Sequence, residues 1–114
     1  SWNEGTVTFQ AFFTVTGTNT GTVKWTLAGR SFADNAALNT AFGTAVGPAA
    51  KAHSGTSNDI NVTATSGAVT IAGAAADTLT FFEVSRDVSA DDQSGDARLL
   101  GIKIYHRFWQ RCLR

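Results

Sequence analysis

An all-β fold, an antiparallel β-sandwich of jelly-roll type with an irregular crossover, is predicted by three observations. Apolar residues recur with period two, which places them on one face of a strand. The strand candidates are short and separated by Gly, Ser, Asn and Asp turns. No long segment carries the 3.6-residue spacing of an amphipathic helix.

The strongest period-two signal is Thr6 to Thr16, where Val7, Phe9, Ala11, Phe13 and Val15 alternate with Thr6, Thr8, Gln10, Thr14 and Thr16. Phe12 interrupts the polar face and is expected to pack there, with an intersubunit contact as the alternative. Gly17 to Gly21 reads as a turn leading into Thr22 to Gly29, where Val23, Trp25 and Leu27 alternate with Lys24 and Thr26; together these predict a hairpin. Ser31 to Gly55 is rich in Ala, Gly and Asn and holds Pro48. It reads as a crossover with one short helical turn near Ala36 to Phe42 and a short strand at Thr44 to Val46. Asp59 to Thr65 and Ala68 to Ala72 are short strands, with Ser66 and Gly67 as the tight connection. Thr78 to Arg86 and Ala97 to Tyr105 are nearly continuous in β-formers. Such runs suit strands packed on both faces, by a core on one side and a neighbour on the other. The sheet is expected to be one strand short, with another segment or subunit supplying it.

At 114 residues the chain is read as a single domain, 1–114, with residues 106–114 as an extended or docking tail. Nine basic and nine acidic residues cancel, so no electrostatic footprint for nucleic acid or an anionic membrane is expected. No apolar run approaches the roughly 20 residues of a membrane-spanning helix. The single cysteine, Cys112, forms no intrachain disulfide. The chain contains no methionine, which reads as a processed N-terminus or a piece of a longer product.

Chemistry has few candidates. Asp87, Asp91, Asp92 and Asp96 share one loop and are weak calcium candidates, set against the simpler reading of a solvated turn; no other metal or cofactor site is expected. His53 and His106 are expected at the surface, and two histidines without a third ligand make a poor zinc site. Neither a nucleophile elbow nor a phosphate-binding loop is present, and Glu4 and Glu83 are too few for an acid–base pair, so the domain is expected not to be an enzyme. Trp25 is expected in the core with its indole N–H on a backbone carbonyl. Trp2 and Trp109 sit near the ends as core caps or contact residues; exposed tryptophans would instead stack on sugars. The aromatic, basic tail Tyr105 to Arg114 is either a disordered end or an intersubunit anchor through Phe108, Trp109 and Arg111.

Three blocks carry a resemblance: Trp2 to Thr8 (W-x-x-G-T-V-T), Gly29 to Ala45 (G-R-x-F-x-D-x-x-x-L-x-x-A-F-G-T-A) and Val84 to Ile102, which holds V-x-R-D and D-A-R-L-x-G-I. In order and spacing they resemble a family of small structural proteins of tailed bacteriophages, over almost the whole chain. Two departures accompany the likeness: the strand that usually precedes the first block is missing, and the tail after Tyr105 is not the usual polar one. The resemblance implies a virion component: a capsid decoration or cement protein, a head fibre or a tail-fibre domain, located in the phage particle. Its partners would be itself, as a homotrimer, and other virion proteins such as major capsid or fibre proteins. Trp2, Phe12, Arg30, Phe108, Trp109 and Arg111 are the interface candidates. The alternative reading is a receptor-binding module for host surface glycans; a calcium-dependent accessory module of an enzyme is a third.

Overall fold

The computed structural model describes residues 5–106, and the described chain is all-β. Its strands are β1 (Thr6–Val15), β2 (Thr22–Val23), β3 (Trp25–Phe32), β4 (Lys51–Ala52), β5 (Asn61–Val62), β6 (Val69–Ala72), β7 (Leu79–Arg86) and β8 (Ala97–His106), with one 3-10 turn at Val88–Ala90. The main sheet is mixed and curled. β8 lies along one edge of β1, while β5 and β6 share its other edge. From β6 the sheet continues through β3 to β7. β3 runs parallel to β6, so the sheet is not wholly antiparallel as expected. A separate two-stranded ribbon pairs β2 with β4.

Two limbs of this sheet, β8–β1 and β3–β7, face each other with β6 at the bend. The period-two pattern of β1 produces the inner face: Val7, Phe9, Ala11, Phe13 and Val15 are all buried. From β3 come Trp25 and Leu27, and from β6 Val69 and Ile71. Phe13 meets Trp25 across the limbs with ring centroids 5.9 Å apart. Full burial of one such side chain stabilises by about 1.5–3 kcal/mol, so this cluster carries much of the fold.

Two expected hairpins do not form. Gly17 to Gly21 connects β1 to a strand in the opposite limb, because Val23, Trp25 and Leu27 have to face β1 across the core and cannot also pair with it edge to edge. β5 and β6 likewise do not pair with each other; both lie along β1. Between them the side chains of Thr63 and Ser66 replace ladder partners. Ala11 N–H donates to Thr63 Oγ1 and Phe9 N–H to Ser66 Oγ, each at 3.0 Å. Thr63 N–H and Ser66 N–H donate back to the Ala11 and Phe9 carbonyls. Local hydroxyls competing with the ladder shorten the expected strand 59–65 to two residues.

The crossover after β3 has no helical turn among its described residues. The expected strand at 44–46 is reduced to a single bridge between Val46 and Leu27. Gly47 follows it because a Cβ there would lie 1.8 Å from the Trp25 carbonyl oxygen. Two side-chain expectations are also corrected. His53 is buried, not at the surface, with Gly55 N–H donating to its Nδ1 at 3.3 Å. Trp25 is buried as expected, yet its indole N–H finds no backbone carbonyl, because the side chain packs within the apolar cluster.

Candidate functional site

The region with most interaction potential lies where the limbs open, between the outer edges of β7 and β8. Each of these strands pairs on one side only, β7 with β3 and β8 with β1. Among the described residues no strand covers either outer edge. An open edge of this length presents a row of backbone donors and acceptors to any incoming strand.

Between the two edges is a cleft of about 440 Å³, lined by Ile71 at its base, Thr80 and Phe82 from β7, Ile104 and His106 from β8, and the 74–78 loop. Phe82, Val84, Ile102 and Ile104 point inward and pack on the core, but none is fully buried. The outward faces are apolar too. On β7, Leu79 is 63% and Phe81 45% exposed; on β8, Leu100 is 55% and Tyr105 38% exposed. Phe81 stacks edge-on with Phe32 at 5.8 Å, and together with Leu38 and Phe42 they line a shallow groove. Arg30, on the same face of β3, stands over the Phe32 ring at 5.9 Å, beside this patch. Charges flank the apolar residues: Glu83 on β7, and Arg98 and Lys103 on β8, all exposed. Lys103 lies over the ring of Tyr105, whose hydroxyl donates to Gln10 Oε1 at 2.6 Å.

The loop 87–96 connects the end of β7 to the start of β8. Arg86, on the last turn of the β7 ladder, donates from Nε to Asp91 Oδ2 at 2.9 Å and from Nη2 to Asp91 Oδ1 at 3.1 Å. It also donates to the carbonyls of Gln93 and Gly95, just before β8 begins. Lys24 N–H donates to the same Asp91 carboxylate. The hydrogen bonds from Arg86 hold the Asp91 carboxyl below its ordinary range, against the opposing effect of burial. Donation from the Thr22 N–H and hydroxyl lowers Asp92 in the same sense. Asp87 caps the 3-10 turn through Ser89.

These contacts give the acidic loop a structural task. Both oxygens of Asp91 and Oδ1 of Asp92 accept from protein donors, Asp87 caps a turn, and Asp96 is not part of the clamp's hydrogen bonds. Among the described residues no three His, Cys, Asp or Glu side chains gather where a metal could sit. The interface candidates separate similarly. Arg30 lies next to the apolar patch, whereas Phe12 sits half-buried on the outer face of β1, in register with Val62 on one side and Gly101 on the other. Trp2, Phe108, Trp109 and Arg111 lie outside the described residues. Trp25, being buried, offers no ring for a sugar. Leu79, Phe81, Tyr105 and the flanking charges were not singled out from sequence. Their signal was the apolarity of both faces of Thr78 to Arg86 and Ala97 to Tyr105.

Comparison with family models, with curated proteins and with solved structures gave no match.

Proposed function

We propose that this domain is a non-enzymatic structural protein of a tailed-phage virion that decorates or cements the capsid, or forms a fibre domain, through contacts between its own copies. The observation that carries the reading is the pair of open edges, eight and ten residues long, that flank one cleft and bear apolar side chains on both faces. Surfaces of this kind bury well against another sheet and poorly against water. The sequence blocks at Trp2 to Thr8, Gly29 to Ala45 and Val84 to Ile102 supply the link to virion proteins. The curled sheet, with two limbs facing each other across one core, is taken as an irregular relative of the jelly-roll sandwich.

The test is deletion of the coding sequence from a phage that carries it, followed by proteomics of purified particles and their survival on heating or chelation. The expected result is that the protein is present in wild-type particles and that its loss lowers particle stability. Particles lacking the protein altogether in the wild type would overturn the reading. Stable particles that no longer adsorb would move the assignment to receptor binding.

A further inference from the structure

The geometry points to a two-fold dimer in which β7 of each copy pairs with β8 of the other, so that two copies close each other's cleft. This rests on the self-association proposed above and names its surface.

Strand direction comes first. β8 is antiparallel to β1, β1 to β6, and β3 to β7, while β6 and β3 are parallel. β7 and β8 therefore run in opposite directions. They also flank the same cleft, one from each limb. A two-fold rotation about an axis parallel to the strands, set in the cleft mouth, brings β7 of one copy beside β8 of the other, and at the same time β8 beside β7. Both pairs are antiparallel, and each limb continues into a limb of the partner. The contact is isologous and closed, which limits growth into fibres. It makes a dimer the closed unit on this side, in place of the homotrimer expected from sequence.

The side chains then select a register. The pairing of β7 with β3 fixes Phe82 and Val84 inward, so a shift by one residue would set them against the outward-facing residues of the partner strand, and only even shifts keep inward residues opposite inward ones. Among these, Glu83 opposite Lys103 places Phe81 against Tyr105 on the outer face and Phe82 against Ile104 and Val84 against Ile102 on the inner face. These four pairs are charge-matched or apolar on apolar, and the remaining ones set Thr80 against His106, Ser85 against Gly101 and Arg86 against Leu100. Moving two residues one way sets Phe81 against Lys103 and Glu83 against Gly101; moving two the other way sets Glu83 against Tyr105 and Ser85 against Lys103. Both shifts lose the ion pair and the aromatic pair together. Opposite charges and aromatic pairs directly across strands are the contacts that stabilise a sheet.

The test uses the full chain. Light scattering is expected to give twice the monomer mass. Glu83→Lys and Lys103→Glu are each expected to raise the dimer dissociation constant about tenfold, since each breaks two symmetry-related pairs, and the double exchange to restore it. Both positions are exposed, so the monomer fold is not at stake. In a Cys112→Ser background, mixing Glu83→Cys with Lys103→Cys should yield a disulfide-linked heterodimer, with neither variant linking to itself. A monomer at all concentrations, a Glu83→Cys homodimer as the main product, or an intrachain link in the chain carrying both cysteines would overturn the pairing. The outcomes separate from those of the virion test: a cross-linked dimer absent from particles ends the virion reading alone, and a monomer found on particles ends the pairing alone.

Discussion

β1 and β7 share a make-up of Thr, Phe and Val with polar residues between them, yet their fates differ. β1 is paired on both edges and covered by β3, so Phe9, Ala11 and Phe13 are wholly inaccessible to solvent. β7 is paired on one edge, and its best-covered residues, Thr80, Phe82 and Val84, are only half-buried. Apolarity alone does not bury a side chain; the number of strands and facing layers around it does. In this protein the closed half holds the sealed core, and the open half leaves apolar side chains partly exposed.

The sharpest way to break that comparison is to truncate equivalent aromatics on either side of it. Phe13→Ala empties a site sealed on all sides and is expected to cost about 3–5 kcal/mol in chemical denaturation. Phe82→Ala, at the half-open cleft, should cost roughly half as much in the monomer, because the lost contacts are fewer and water already reaches the site. Equal costs would mean that the cleft is as well packed as the core.

The clamp between the halves comes next in size. Asp91→Asn leaves Arg86 without its two-pronged partner at the junction of β7 and β8 and is expected to cost about 2–3 kcal/mol. Because the folded protein holds Asp91 below its ordinary pKa, the associated stability is complete above that ordinary value of about 3.9 and is lost as pH falls through and beneath it. The melting temperature of the wild type should therefore drop between pH 5 and pH 3 more steeply than that of Asp91→Asn, with about 5 and about 3 marking the expected window around the ordinary value. Parallel curves would show that the carboxylate does not stabilise the fold.

Ser66→Ala tests the substitute ladder on β1. It strips the buried Phe9 N–H of its hydroxyl acceptor and should cost about 1–2 kcal/mol, while Ser66→Thr should retain most of the stability. The smallest effect on the monomer is expected at the open edge: in thermal unfolding at low concentration Leu79→Ser should stay within about 0.5 kcal/mol of wild type, and Phe81→Ser, which also loses the edge-on contact with Phe32, within about 1.5 kcal/mol. The same two substitutions should reduce self-association at high concentration in sedimentation measurements. A large loss of monomer stability would mean that the outward face of β7 belongs to the core.

The sequence by itself determined the β class, because alternation of Val7, Phe9, Ala11, Phe13 and Val15 leaves no helical alternative, and the positions of the long strands β1, β3, β7 and β8 follow from the same local pattern. It also marked the two runs with apolar residues on both faces. Tertiary structure decided which strands became neighbours. Gly17 to Gly21 and Ser66 to Gly67 read locally as hairpin turns, but the need to lay Trp25 over Phe13, and the capture of Phe9 and Ala11 N–H groups by Ser66 and Thr63, sent the chain elsewhere. It decided as well that Arg86 would draw Asp91 into a clamp and that Glu83 and Lys103 would stand on two edges of one cleft. Pairing depends on contacts between residues far apart in the chain, whose free energy no local window of sequence contains.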